Sequence, residues 1–148
     1  NGSKWKTLKT TTATSYKVTG LEPGTKYTFA VRSYAKVDST TIWAAKFDTY
    51  STATKPATPA LRVASTAKGR LTAAWNNVEG ETGYQLFYST SKSSGYKKVA
   101  NYAADTTKIY KTGFKSGTTY YFKLRAYTKT DNGYVYSSYS TVRSLKIK

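Results

Sequence analysis

The sequence predicts an all-β protein, and three observations support that prediction. Residues that favour strands are abundant, with 15 Tyr, 5 Phe and 3 Trp among 148 residues. Aromatic and polar residues alternate between frequent Gly and Ser, which is typical of short strands and not of helices. A long pattern also occurs twice in the chain. Together these features indicate sheets built from a repeated unit.

The repeat has an offset of 93 residues and relates the stretch 16–34 to the stretch 109–127 without a gap. Such extended agreement at one offset indicates a duplicated module. The superposed pairs include Gly20 and Gly113, Gly24 and Gly117, Tyr27 and Tyr120, Phe29 and Phe122, Arg32 and Arg125, Tyr34 and Tyr127, and Trp43 and Tyr136.

Within each copy, the central strand has one apolar and one mostly polar face. In the first copy the apolar face consists of Tyr27, Phe29 and Val31. These residues alternate with Thr28, Ala30 and Arg32 on the other face. Because side chains alternate between the two faces of a strand, this pattern predicts an antiparallel sheet that packs on one side only.

The second copy shows a complete series of strands in chain order. Seven short strands in roughly 90 residues predict an immunoglobulin-like β-sandwich. A hairpin turn is predicted at Asp131-Asn132-Gly133, and Trp75 is predicted to point into the core. The strands are expected over 61–66, 70–76, 84–89, 96–101, 107–112, 120–129 and 139–147.

The domain organisation follows from the same repeat. Residues 60–148 are predicted to form a complete module, and residues 1–54 the C-terminal part of another, with strands D, E, F and G. Residues 55–59 contain Pro56 and Pro59 and are predicted to form a short, stiff, extended linker.

The first copy is predicted to lack three strands. Ser3 to Leu8 resembles Ser94 to Val99, which places residue 1 near the fourth strand of a module. Half a sandwich would expose its core face, so residues 1–50 are expected to obtain strands from an upstream fragment or, by swapping, from a neighbouring chain. The alternative is a short sheet docked on the second module.

These residues carry a resemblance to fibronectin type III domains. The pattern Leu21-x-Pro23-Gly24-Thr25-x-Tyr27-x-Phe29 resembles their E–F corner and F strand, and Arg70 to Trp75 resembles their B strand. Gly83 to Tyr88 resembles their C strand, and Tyr136 to Ser140 their entry into the G strand. The resemblance implies that Tyr27 and Tyr120 are structural corner residues, with each hydroxyl bonded to the backbone.

The residue inventory argues against catalysis, and no cofactor or metal is expected. The chain has no His and no Cys, so the usual general base and the thiol nucleophile are both missing. Glu79 and Glu81 lie together, but in a loop predicted to be solvated, with a calcium contact as the alternative. The seven carboxylates are Glu22, Asp38, Asp48, Glu79, Glu81, Asp105 and Asp131.

Several aromatic residues exceed what one thin core can hold. Trp5, Trp43, Tyr134 and Tyr136 are the candidates for stacking on a sugar, because flat exposed rings bind sugar faces and cations. The alternative is that Trp43 and Tyr136, which the repeat makes equivalent, simply fill the edge of the sheet.

The net charge of +17 has two interpretations. It describes either a soluble, self-repelling surface or one that attracts a polyanion such as an anionic wall polymer. Nucleic acid is disfavoured because the basic residues are scattered and no known nucleic-acid module is present. A membrane span is excluded, since no apolar run approaches about 18 residues.

The predicted function is a non-catalytic extracellular spacer, presentation or adhesion module of a larger surface or secreted protein. Its partners would be other domains of the same polypeptide and, if it binds, a glycan, an anionic wall polymer or a host surface protein. The alternatives are a carbohydrate-binding or wall-polymer-binding module and an accessory domain of a secreted polysaccharide-degrading enzyme. The Cys-free, Lys- and Tyr-rich style resembles wall-attached or secreted proteins of Gram-positive bacteria.

Overall fold

The structure, a computed structural model, describes residues 5–148, and these form strands and no helix. Every strand pair is antiparallel. The strands are β1 (Lys26–Val31), β2 (Tyr34–Val37), β3 (Thr40–Trp43), β4 (Asp48–Ala53), β5 (Arg62–Ala64), β6 (Leu71–Ala74), β7 (Gly83–Ser89), β8 (Lys97–Ala103), β9 (Lys108–Lys111), β10 (Thr119–Thr130), β11 (Gly133–Tyr136) and β12 (Arg143–Lys146).

The second copy is a two-layer sandwich. Strands β5, β6 and β9 form a three-stranded sheet, and β7, β8, β10, β11 and β12 form a five-stranded sheet. Alternate residues of β10 point into the space between them and are buried, as the period of two requires. The prediction of an all-β, immunoglobulin-like sandwich is confirmed. The core contains Leu61, Leu71, Ala73, Trp75, Val78, Tyr84, Leu86, Tyr120, Phe122, Leu124, Ala126 and Ile147.

The repeat extends to the register of the strands. Phe29 pairs with Tyr50, and Phe122 pairs with Arg143, at the same offset of 93 residues. Tyr34 likewise pairs with Trp43, as Tyr127 pairs with Tyr136. The two copies therefore share the geometry of their F and G strands.

The copies differ in what lies on the other edge of the central strand. In the second copy, β7 pairs along β10 from Tyr121 to Tyr127, and β10 runs unbroken for 12 residues. In the first copy, β1 and β2 form separate ribbons with β4 and β3, and within residues 5–148 no strand pairs with their other edge. As a result Val31 is 78% exposed, whereas its counterpart Leu124 is 0% exposed.

Two predicted strands of the first copy are not found, which corrects the prediction that residues 1–54 contain strands D and E. Residues 5–25 hold no strand. In the second copy β8 pairs with β7 and β9 pairs with β6, and among the described residues the first copy has no strands equivalent to β6 and β7. Without such partners a segment has no backbone hydrogen bonds that would hold it as a strand, and water satisfies its exposed N–H and C=O groups. Ser3 and Lys4 lie outside the described residues.

The predicted last strand, 139–147, is shorter than expected. The G strand is divided into β11 and β12, with irregular backbone over 137–142. In that gap Ser137 Oγ accepts a hydrogen bond from Ala126 N, and Ser140 Oγ accepts one from Leu124 N. The two serine hydroxyls thus accept hydrogen bonds from β10 amides that would otherwise bond to backbone carbonyls of the G strand. The regular pairing of the two strands is interrupted there.

The two copies touch near the linker. The backbones at Gly24 and Gly80 approach so closely that a Cβ atom on either residue would lie 2.5 Å from a backbone oxygen of the other loop. The two loops are therefore in close contact. Asn132 Nδ2 donates to Ser51 O at 2.9 Å, and Lys55 Nζ donates to Ser138 Oγ at 3.1 Å. Over residues 5–148 there is no helix long and apolar enough to span a membrane.

Replacement of Leu124 and Val31 by Ala should change the free energy of unfolding by very different amounts, although the two positions are equivalent. Leu124→Ala leaves a cavity in a packed core and should lower the free energy of unfolding by about 2 to 5 kcal/mol. Val31→Ala changes an exposed side chain and should alter it by less than about 0.5 kcal/mol. Urea unfolding followed by Trp fluorescence measures both, and equal losses would contradict the burial described above.

Candidate functional site: an aromatic and cationic sheet face

The outer face of the five-stranded sheet carries rings and positive charges. On β10 the residues that alternate with the core, Lys123, Arg125 and Tyr127, point to this face. On β7, Phe87 pairs with Lys123 and Gln85 pairs with Arg125, which places these two side chains on the same face. Arg125 Nε donates to Gln85 Oε1 at 2.9 Å. Antiparallel register therefore assembles this surface from several strands.

Rings and cations alternate across the face in an arrangement that we call the aromatic–cationic ladder, consisting of Tyr136, Arg125, Tyr139, Lys123 and Tyr96. The Arg125 guanidinium carbon lies 3.8 Å from the Tyr136 ring centroid and 5.1 Å from that of Tyr139. The Lys123 ammonium lies 4.1 Å from the Tyr139 centroid and 4.0 Å from that of Tyr96. Each contact is stabilising, by about 0.5 to 1 kcal/mol at an exposed site.

Two serines position the Tyr136 and Tyr139 rings of the aromatic–cationic ladder. Ser137 N donates to Ala126 O at 3.0 Å, and Ser140 N donates to Leu124 O at 2.7 Å. The hydroxyl oxygens accept from the amides of the same two β10 residues, at 2.9 and 3.1 Å. This double bonding turns Ser137 and Ser140 inward, where both are buried, and leaves Tyr136 and Tyr139 outside.

The ladder was missed at the sequence level, although a signal was present. The segment reads Tyr-Ser-Ser-Tyr-Ser from Tyr136 to Ser140, so both the rings and the clamping serines recur at a spacing of three. Of the three rings in the aromatic–cationic ladder, only Tyr136 was among the predicted stacking candidates. The contacts with Arg125 and Lys123 could not be predicted, because they depend on cross-strand register.

The first copy retains one cation–π contact of this arrangement. The Arg32 guanidinium carbon lies 4.4 Å from the Trp43 ring centroid, and the Trp43 ring lies 5.1 Å from that of Tyr34. These residues are the counterparts of Arg125, Tyr136 and Tyr127. The counterparts of the clamping serines are Ala44 and Phe47, which have no hydroxyl group.

The four stacking candidates do not form one site. Tyr134 and Tyr136 lie together, with ring centroids 6.1 Å apart and planes 28° from parallel. Trp43 occupies the equivalent place in the first copy, and Trp5 lies nearly perpendicular to Phe47, with ring centroids 5.8 Å apart. Tyr134 is 53% exposed. It is the candidate with a largely free ring in the second copy, because one face of Tyr136 is covered by Arg125.

The charge on this sheet has one sign. Its five strands contain no Asp or Glu, because all seven carboxylates of the chain lie outside them. An anion approaching the sheet therefore meets attraction without a competing acidic group on these strands. The seven basic residues of the strands are Lys97, Lys98, Lys123, Arg125, Lys129, Arg143 and Lys146.

Tyr27 and Tyr120 lie at equivalent corners. Glu22 N donates to the Tyr27 hydroxyl at 3.1 Å, and Lys115 N donates to the Tyr120 hydroxyl at 3.2 Å. The Tyr120 ring packs against Phe114 with centroids 5.0 Å apart. These contacts are internal to the fold and leave both hydroxyls engaged with the backbone.

Glu79 is exposed in its loop, as expected, whereas Glu81 departs from the prediction of a solvated side chain. Glu81 is half-buried rather than solvated, and its Oε1 accepts from the Asp105 amide and lies 3.0 Å from the Tyr84 hydroxyl. Val78 N donates to that hydroxyl at 2.8 Å. Burial is the main cause that raises the pKa of Tyr84 above its ordinary range. Among residues 5–148, no group of three or more His, Cys, Asp or Glu is placed to hold a metal ion.

Tyr84 gives a pH-dependent prediction. Since its pKa is raised in the folded protein, the stabilising effect is fully present below the unfolded pKa of about 10 and is lost as the pH rises above it. The free energy of unfolding should therefore fall between pH 9.5 and about pH 11, and it should fall less in Tyr84→Phe. The exposed Tyr134→Phe variant is the control. Equal slopes in all three proteins, measured by urea unfolding, would contradict the prediction.

Comparison with known proteins places the fold. No family model matches the sequence, and no curated protein matches it. Among solved structures, a Fn3-like protein from Clostridium thermocellum is 26% identical with a TM-score of 0.54, and covers 64% of this chain and 96% of its own. A structure described as FN3tt mut is 26% identical with a TM-score of 0.51, and covers 63% of this chain and 97% of its own.

A longer match shows the fold alone. The chicken CNTN1 FN1–FN3 domains are 16% identical with a TM-score of 0.55, and the match covers 87% of this chain and 45% of that one. Domains of this kind are generally non-catalytic modules of larger proteins. This chain therefore has the fold of fibronectin type III domains, an immunoglobulin-like β-sandwich.

Proposed function

We propose that this chain is a non-catalytic spacer that presents other domains of a larger surface or secreted protein. The single observation that supports this proposal is the close contact between Gly24 of the first copy and Gly80 of the second. A spacer must hold its neighbours at a set orientation, and a packed junction restricts bending more than a free linker does.

The junction is held at three places around the linker. The 22–25 corner lies against the 79–80 loop, Asn132 bonds to Ser51, and Lys55 bonds to Ser138. Pro56 and Pro59 of the linker are both buried. Proline fixes φ and has no N–H donor, so these two buried positions lose little entropy on packing and have no N–H that needs a partner. The arrangement favours a junction with one preferred angle.

The test exploits the absence of cysteine. Ser39→Cys in the first copy and Ser93→Cys in the second, both exposed, allow two spin labels to be attached without side reactions. Double electron–electron resonance measures the distance between the two spin labels, and it should give one narrow distance distribution in the labelled full chain. A broad distribution in this protein would contradict the spacer proposal.

Two matched glycine variants sharpen that experiment. Gly24 and its counterpart Gly117 both have positive φ, at 65° and 75°. A Cβ on Gly24 meets Glu79 O at 2.5 Å, whereas a Cβ on Gly117 meets nothing within 4 Å. Gly24→Ala should therefore broaden or shift the distances, and Gly117→Ala, which adds only backbone strain, should leave them unchanged. Identical effects would show that the glycine contact does not set the angle.

The outer face of the five-stranded sheet, which carries the aromatic–cationic ladder, supports a second candidate function. We propose that it binds an acidic or phosphate-containing polymer at a cell surface, with Tyr134 as a ring for stacking. The supporting observation is the sheet with seven basic and no acidic residues in its strands. Because the ladder rings already lie over Arg125 and Lys123, they orient these cations, and charge rather than ring stacking would supply most of the affinity.

Charge-matched variants test this second function. The five-stranded sheet carries Lys98, Lys123 and Lys129. Three other lysines, Lys68, Lys108 and Lys111, lie outside this sheet. Replacing the first three by Gln should weaken binding to poly(glycerol phosphate) about tenfold or more at low salt, and should reduce the slope of log affinity against log salt by about 2. Replacing the other three removes the same charge and should have a much smaller effect. Equal effects of the two sets would mean that only net charge matters.

A further inference from the structure

Two cations of the aromatic–cationic ladder lie side by side on β10 without an anionic partner. Lys123 and Arg125 are two positions apart, so both side chains leave the same face, with Cα atoms about 7 Å apart along the strand. Arg125 Nε donates to Gln85, but within residues 5–148 the terminal guanidinium nitrogens and the Lys123 ammonium have no hydrogen-bond acceptor. These terminal nitrogens form a fork that matches two oxygens of a phosphate group. A bound anion would also relieve the repulsion between the two cations.

An aromatic ring contacts both of these cations. The Tyr139 ring centroid lies 4.1 Å from the Lys123 ammonium and 5.1 Å from the Arg125 guanidinium carbon. Its ring also meets that of Phe87, with centroids 5.5 Å apart. Because Tyr139 is 39% exposed, a ligand on this face reaches the ring as well as the charges. Charge and apolar surface therefore alternate along β10, which favours a ligand in which anionic groups alternate with short carbon linkers.

The outer face of β10 continues beyond the two cations with a third one. Tyr127 is the next residue on this face and Lys129 follows it, about 14 Å beyond Arg125 along the strand. Toward the other end of the same face, Thr119 and Tyr121 carry no charge. Counted from Lys123 in steps of two residues, cations therefore stand at the first, second and fourth positions.

We propose that a phosphodiester polymer with three-carbon linkers, of the poly(glycerol phosphate) type, binds along β10 with phosphates on Lys123, Arg125 and Lys129. This inference rests on the second proposed function, polyanion binding, and adds the repeat of the ligand and its direction. In such a polymer six covalent bonds join one phosphorus atom to the next, and six backbone bonds join a residue to the second one after it. Both extended chains therefore repeat at about 7 Å. Phosphates then meet cations in register, and the carbons of the linker lie over Tyr139.

Other ligands and another direction fit this face less well. A polymer with five-carbon linkers has eight bonds in its repeat, which exceeds the period of the strand. Single-stranded nucleic acid has a six-bond repeat, but it binds largely by stacking its bases on aromatic rings. Here the Tyr136 and Tyr139 rings already lie against Arg125 and Lys123. Across the sheet, Lys98 is two strands from Lys123, about 10 Å away and beyond one six-bond repeat.

The experiment compares Lys129→Gln with Lys98→Gln in NMR titrations of the full chain at low salt. The probes are glycerol phosphate oligomers with two and with four phosphates. Lys129→Gln should weaken binding of the four-phosphate oligomer about threefold or more and leave binding of the two-phosphate oligomer unchanged, because only the fourth phosphate reaches residue 129. Lys98→Gln removes the same charge from the same sheet and should change both affinities much less. Both lysines are exposed, so neither substitution disturbs the core.

Two further probes with four phosphates separate the possible outcomes. Ribitol phosphate has the eight-bond repeat and should bind more weakly than glycerol phosphate, as should oligothymidylate. Equal affinity for ribitol phosphate, or equal losses in Lys129→Gln and Lys98→Gln, would overturn the alignment along β10 and leave polyanion binding standing. Tighter binding of oligothymidylate would assign the face to nucleic acid and overturn the proposal. If none of the oligomers binds, polyanion binding itself fails, and this inference fails with it.

Discussion

The pairing of β7 with β10 is the interaction on which the rest of the second copy depends. It runs along the middle of β10, from Tyr121 to Tyr127, brings Leu86 opposite Leu124, and aligns Gln85 and Phe87 with Arg125 and Lys123 on the other face. One ladder of backbone hydrogen bonds therefore sets the core and the outer face together, because alternate residues of a strand point to opposite sides. The first copy shows the effect of its absence: the strand is divided into β1 and β2, and Val31 is exposed.

The aromatic–cationic ladder also depends on the other edge of β10. Ser137 and Ser140 bond to the amides and carbonyls of Ala126 and Leu124, so they anchor the irregular segment between β11 and β12 on β10. With the serines turned inward, Tyr136 and Tyr139 lie against Arg125 and Lys123 on the outside. The rings restrict the cations, which lowers the entropy that ordering them on a ligand would cost. A surface built for rigidity can thus also present oriented charge.

Much of the fold was predictable because the sequence is locally consistent. Alternation in the strands, the turn at Asp131-Asn132-Gly133 and the inward Trp75 all agree with the structure. The departures have identifiable causes. Serine side chains divide the G strand, and strands D and E of the first copy have no partner in the described chain. Glu81 was expected in water but bonds to Asp105 N, a contact between residues 24 positions apart.

By itself the sequence determined the all-β class, the period of 93 residues and the lack of His and Cys, because these depend on composition and on short-range patterns. It also determined which residues of β10 turn inward, since strand periodicity is local. Tertiary structure alone decided that Arg125 and Lys123 lie between Tyr136, Tyr139 and Tyr96, and that Gly24 meets Gly80. The physical reason is that these contacts join residues far apart in the chain, and their distances depend on strand register and on how the two copies meet.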